Sequence, residues 1–115
     1  LSRRRQIAKY YFNNIKNPKI ILPKPDAQND SFHLFVIMTG QRNKLLKYLK
    51  TNSIGFGIHY KYPVHLQRAY KFLGYKKGSL PITEKISKKI ISLPIFPELT
   101  DKEIKYIVKI INKFE

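Results

Sequence analysis

The chain has 115 residues, 43% of them hydrophobic and 13% aromatic, which supplies apolar surface for one compact core rather than two. It contains no cysteine, so a disulfide framework and a Cys-ligated zinc site are both excluded. The formal net charge is +16, and no uninterrupted apolar run approaches the roughly 18 residues of a membrane span.

Taken in chain order, residues 2 to 15 place Ile7, Tyr11 and Ile15 on one stripe with charges opposite, which predicts an amphipathic helix stopped before Pro18. Ile20-Ile21-Leu22 precedes Pro23 and Pro25 and must be extended, and Ala27 to Asp30 reads as a polar loop. Phe32-His33-Leu34-Phe35-Val36-Ile37-Met38 has the length and the β-branched, aromatic content of a strand covered on both faces, and Gly40 breaks it. Residues 41 to 51 carry Leu45, Leu46 and Leu49 at helical spacing. Ile54 to Tyr60 predicts a second strand, in which Gly55 and Gly57 permit close backbone approach or a bulge. A short helix follows from Val64 to Leu73, ended by Gly74.

Pro81 suits the first turn of a helix over 81 to 91, with Ile82, Ile86 and Ile90 on one face. Leu93-Pro94-Ile95-Phe96-Pro97 is then an extended segment whose prolines fit an edge strand. Thr100-Asp101-Lys102-Glu103 has the form of a capping box, and the helix it opens buries Ile104, Ile107, Val108 and Ile111. The sum is an α+β fold, a small mixed or antiparallel sheet covered by helices, in a single domain spanning 1–115.

Few side chains suggest chemistry. His33, His59 and His65 are the groups suited to proton transfer near neutral pH. His59 and His65 stand six apart across a proline-containing loop without a nearby carboxylate, a poor metal site, and no metal is expected. His33, inside an apolar strand, reads as a structural residue. No serine sits on a nucleophile elbow, and no glycine-rich phosphate loop is present. The charge invites a nucleic-acid reading, because neutralising phosphates with Lys and Arg drives sequence-independent binding. Against it, lysines are spread from Lys9 to Lys113, Arg3-Arg4-Arg5 is the one tight run, and nearly half of the chain is Lys, Ile, Asn, Tyr or Phe, the bias of an A/T-rich genome. A stand-alone basic module for nucleic acid or an acidic protein is the alternative reading, and specific nucleic-acid binding is not expected.

Several motifs, in order, carry a resemblance. These are Arg3-Arg4-Arg5-Gln6-Ile7-Ala8 with Tyr10-Tyr11, then Phe32 to Ile37, then Ile54-Gly55-Phe56-Gly57-Ile58-His59-Tyr60. Next come Pro63-Val64-His65-Leu66-Gln67, Ala69-Tyr70 and Leu73-Gly74-Tyr75, and finally Pro81 with Glu84, Leu93-Pro94 and Pro97-Glu98-Leu99-Thr100. Together they resemble the C-terminal small domain of the DegT/DnrJ/StrS-type sugar aminotransferases, fold-type-I enzymes that use pyridoxal phosphate to aminate keto sugars on nucleotide carriers. The match covers nearly the whole chain, with residues 1–16 similar to the linker helix into that domain.

The resemblance implies that the chain is part of an enzyme whose larger domain holds the cofactor, its lysine and the catalytic groups. None of the 18 lysines here occupies the matching lysine motif, so no catalytic residue is carried over and the fragment alone is expected to bind no cofactor and to be inactive. What is carried over is substrate contact: His59, Tyr60 and His65 lie on the loop that faces the sugar nucleotide, with Tyr62, Gln67 and Tyr70 as weaker candidates. Glutamate as amino donor, a homodimeric parent and a cytoplasmic location complete the expectation, and the start Leu1-Ser2-Arg3-Arg4-Arg5 lacks the apolar stretch of a signal peptide. The His-Leu-Gln form of the loop leans toward amination at a 3-keto position. The chain departs from the family pattern in having Ser53 where glycine is usual, Lys61 where proline is usual and Arg68 where proline is frequent. Without that first proline the chain after Tyr60 is less restrained and gains a backbone donor.

Overall fold

The structure is a computed structural model and describes residues 2–24, 32–58, 74 and 80–115. Its elements run α1 (Ser2–Asn14), β1 (Phe35–Met38), α2 (Arg42–Thr51), α3 (Pro81–Ser87), β2 (Ile90–Leu93) and α4 (Asp101–Asn112). The expected helix over Val64 to Leu73 lies outside the described residues.

β1 and β2 pair antiparallel, Phe35 opposite Leu93 and Ile37 opposite Ile91, and these four side chains are buried on one face. Val36 and Met38 point the other way and are half-buried, so β1 has one core face and one partly covered face. An isolated bridge extends the ladder on each side, Ile21 with Met38 beyond β1 and Gly57 with Ser92 beyond β2. The α+β architecture with a small antiparallel sheet agrees with the pattern read from the sequence.

α1 lays Ile7, Ala8 and Tyr11 onto this core, the stripe expected from their spacing. The Tyr11 ring lies 4.9 Å from that of Phe35, and its hydroxyl donates to the Pro94 carbonyl at 2.6 Å. Burial holds the Tyr11 phenol well above its usual range, so it acts as a neutral donor. α4 buries Ile104, Ile107, Val108 and Ile111, each contributing about 1.5 to 3 kcal/mol relative to exposure. It begins with the anticipated capping box: Thr100 Oγ1 accepts from the Glu103 amide at 3.1 Å, and Glu103 Oε1 accepts from the Thr100 amide at 3.0 Å. At its other end the buried Asn17 donates to the carbonyl of Ile111 (2.9 Å), which the end of the helix leaves without a partner, and to that of Phe114 (2.8 Å) just beyond the helix.

Four expectations need correction. The first strand starts at Phe35, because Phe32 has φ 49, a left-handed backbone that breaks an extended run and leaves His33 outside it. Of the strand expected from Ile54 to Tyr60, the described residues 54–58 contribute one bridge, at Gly57, and the rest lies outside the described residues. The helix predicted over 81 to 91 ends at Ser87, where the Ser87 hydroxyl donates to the Glu84 carbonyl and Arg42 donates to the Ser87 carbonyl. Ile90 and Ile91 then pair with β1, since an Ile-rich run suits a helix and a strand alike and the sheet decides. As a result α3 buries Glu84 and Ser87, while Ile82 (75% exposed) and Ile86 face outward, and Pro94 to Pro97 lie beyond the strand rather than forming it.

α2 closes in a Schellman motif. Ile54 N donates to the Leu49 carbonyl at 2.9 Å and Ser53 N to the Lys50 carbonyl at 3.1 Å, with Ser53 at φ 60. The left-handed position falls on the residue where the resembling family has glycine, which accounts physically for that preference.

Candidate functional site

A cleft of about 750 Å³ opens beside Gly57, which bridges to Ser92 of β2. Its floor is Ser53 to Gly57 together with the β2 exit, Ser92 to Phe96. Leu99 and the first turns of α4, with Lys102, Glu103 and Tyr106, add to the lining, and His33 and Leu34 complete it. The lining is mostly apolar, and Leu34, Phe56, Phe96 and Tyr106 each remain about two-fifths exposed (41%, 39%, 41% and 44%). Exposed large apolar side chains gathered in one concavity are the mark of a surface that receives something.

Each wall is held by contacts made elsewhere. Tyr106 Oη donates to the Asn52 carbonyl at 2.9 Å, tying α4 to the end of α2. Gly57 and Ser92 exchange two backbone hydrogen bonds, at 3.0 and 2.7 Å, and fix the chain two residues before His59. Glu103 accepts from the Thr100 amide and hydroxyl, which hold its carboxyl below its ordinary pKa, so this wall carries an ionised carboxylate beside the Lys102 ammonium. A Cβ placed on Gly55 meets no atom within 4 Å, so no close approach within the described chain demands glycine there.

His59, Tyr60 and His65, the predicted substrate contacts, lie outside the described residues, as do Tyr62, Gln67 and Tyr70. His33 is not a buried structural histidine but an exposed one on the rim of the cleft. The cleft itself was not legible in the sequence: Phe56 and Phe96 read as ordinary strand residues, and only their neighbours Gly55, Gly57, Pro94 and Pro97 hinted at irregular backbone. Among the described residues no three His, Cys, Asp or Glu side chains gather as a metal site, and no helix is long and apolar enough to cross a membrane.

The profile of the DegT/DnrJ/EryC1/StrS aminotransferase family matches residues 1–112. The chain belongs to that family. Within it, the chain is 39% identical over 113 residues to a dTDP-3-amino-3,6-dideoxy-α-D-galactopyranose transaminase of Aneurinibacillus thermoaerophilus, spanning 97% of this chain and 31% of the relative. Among solved structures it is similar to DesV of S. venezuelae in complex with a ketimine intermediate, with TM-score 0.90, 31% identity, and 97% of this chain against 31% of that one. The PLP-form of Spr1654, a sugar aminotransferase-like protein of Streptococcus pneumoniae, superposes with TM-score 0.85 at 26% identity, covering 98% of this chain and 30% of that one. The chain thus spans about a third of the length of these aminotransferase-family relatives.

Pyridoxal phosphate, the cofactor the family implies, does not fit the described residues. A lysine that carries it needs a desolvated setting that lowers its pKa. The described lysines are exposed, apart from a half-buried Lys89, and the one at the cleft, Lys102, is exposed on its wall.

Proposed function

We propose that residues 1–115 form the small domain of a pyridoxal-phosphate-dependent aminotransferase that aminates a keto sugar on a nucleotide carrier for deoxyamino-sugar or polysaccharide synthesis. Residues 1–16 act as the linker helix, and the cofactor and its lysine belong to the remaining two-thirds of the enzyme. The observation that carries this reading is the family match over residues 1–112 within a chain a third of its relatives' length and without a desolvated lysine among the described residues. His59, Tyr60 and His65 contact the sugar nucleotide by hydrogen bonds and by aromatic stacking. They follow directly on the segment that the Gly57–Ser92 pair anchors to the sheet. Glutamate is the amino donor and the parent is a cytoplasmic homodimer. The A. thermoaerophilus transaminase carries the amine of its sugar at C3 by name, which supports a 3-keto substrate here.

The division of labour has a direct test. Pyridoxal phosphate added to the isolated chain should give no absorbance band that survives dialysis, and borohydride should fix label on scattered exposed lysines. Stoichiometric labelling of a single lysine, with turnover of a keto sugar and glutamate, would contradict it.

A further inference from the structure

Two side chains of α1 reach across to the segment that leaves β2. Tyr11, fully buried, donates from its hydroxyl to the Pro94 carbonyl at 2.6 Å. Arg3, in the first turn of the helix, donates through Nη2 to the Leu99 carbonyl at 2.7 Å and to Asp101 Oδ1 at 2.8 Å. The two donors stand about 12 Å apart along the helix axis, so α1 grips both ends of the stretch 94–99.

That stretch cannot be held as a strand. β2 ends at Leu93, Pro94 and Pro97 carry no amide hydrogen, and the Leu99 amide closes a turn onto the Phe96 carbonyl at 3.1 Å. Side-chain donors from α1 take over what a ladder does elsewhere. Just ahead of Pro94 lies Ser92, which exchanges both backbone hydrogen bonds with Gly57, and Pro94, Ile95, Phe96 and Leu99 line the cleft beside that pair. A shift of 94–99 is therefore passed to the cleft lining and to the backbone that leads on to His59.

We propose that Tyr11 and Arg3 are positioning residues for the sugar-nucleotide side of the reaction: by fixing the Pro94 and Leu99 carbonyls, they set where the Gly57–Ser92 pair stands. The inference rests on the reading of the chain as an aminotransferase domain and goes beyond it, because α1 acts there only as a linker. Both side chains suit the task. The Tyr11 ring is lodged 4.9 Å from that of Phe35, which aims its hydroxyl. Arg3, charged at any working pH, bonds on either side of Thr100, the N-cap of α4, so the turn and the helix start move together.

The test uses the chain joined in place of the matched third of the A. thermoaerophilus transaminase, with the variants Tyr11→Phe, Arg3→Ala and Ile111→Val. Tyr11→Phe keeps the ring and removes only the hydroxyl. Ile111→Val trims a buried side chain of α4 that does not line the cleft, and so controls for lost stability. Tyr11→Phe and Arg3→Ala should each raise KM for the keto-sugar nucleotide about threefold to tenfold, with kcat and the KM of glutamate changed less than about twofold. Ile111→Val should leave all three unchanged at a similar loss of melting temperature. The local step is read in the 115-residue chain alone: the Gly57 and Ser92 amides should exchange about fivefold faster in Tyr11→Phe than in Ile111→Val, while the Ile107 and Val108 amides of α4 keep pace in the two. Should Tyr11→Phe fail to fold, Arg3→Ala, at a half-buried contact, gives the same comparison. An active joined enzyme in which the sugar KM of these variants equals that of Ile111→Val would overturn the inference. So would an equal rise in the KM of glutamate, because the defect would then be general. A joined enzyme that aminates no keto-sugar nucleotide contradicts the proposed function instead; the exchange comparison then decides the inference, and equal rates at Gly57 and Ser92 overturn it.

Discussion

Ser53 shows how one side chain can be at odds with the backbone that carries it. At φ 60 it occupies the left-handed position that closes α2, where an L side chain is strained and glycine is not. Ser53→Gly is expected to stabilise the chain by about 0.5 to 1 kcal/mol, the relief of strain exceeding the added freedom of the unfolded glycine. Urea denaturation would register it as a higher midpoint at unchanged slope. A residue-scale prediction about function concerns His59 and Tyr60. In an enzyme that contains this domain, His59→Ala and Tyr60→Phe should each cost about 1 to 3 kcal/mol of transition-state binding, roughly tenfold or more in kcat/KM for the keto sugar. His65→Ala should cost less if its side chain only secures the loop. Kinetics with glutamate and keto sugar varied separately would place the defect on the sugar side. Loss of bound cofactor with unchanged sugar affinity would place it elsewhere.

At the scale of elements, α4 is the best-specified piece of the chain. Its capping box is reciprocal, and its four buried positions fall where the helical period puts them. Thr100→Ala should destabilise the fold by about 1 kcal/mol. The Thr100 amide, and then its hydroxyl, hold the Glu103 carboxylate below its ordinary pKa. A depressed pKa means that this contribution is present above the unfolded value of about 4.3 and is lost as pH falls through the lower folded value. The wild-type chain should therefore lose more stability than Thr100→Ala in that acid range, which thermal melts at stepped pH would reveal. The sequence was legible where one mechanism dominates, as in α1, α2 and α4, whose apolar stripes have a single period. It misled where two periods coincide. Ile82, Ile86 and Ile90 fit a helix face, but pairing with β1 takes Ile90, together with Ile91, into β2 and leaves the first two facing outward. Phe32 was misread because nothing in an apolar run announces a left-handed backbone, and that turn is what moves His33 to the cleft rim.

At the scale of the whole molecule, charge and cleft point to different partners. Lys44, Lys47 and Lys50 on α2 and Lys105, Lys109 and Lys113 on or beside α4 are all exposed, and the net charge is +16. They are dispersed over helical faces rather than arranged around stacking aromatics, so oligonucleotide binding should be weak and indifferent to sequence. Its affinity should fall steeply between about 50 and 200 mM salt, as counterion release requires. A salt series with duplex and single-stranded probes would check this, and sub-micromolar, sequence-selective binding at physiological salt would favour the basic-module reading. The central claim is that the chain works as one domain of an aminotransferase, and the most direct measurement is amination by a joined enzyme. With this chain in place of the matched third of the A. thermoaerophilus transaminase, the account predicts glutamate-dependent amination of that enzyme's keto-sugar nucleotide, lost when the domain is omitted and weakened by His59→Ala. A joined enzyme that folds and holds pyridoxal phosphate but aminates no keto-sugar nucleotide would contradict it.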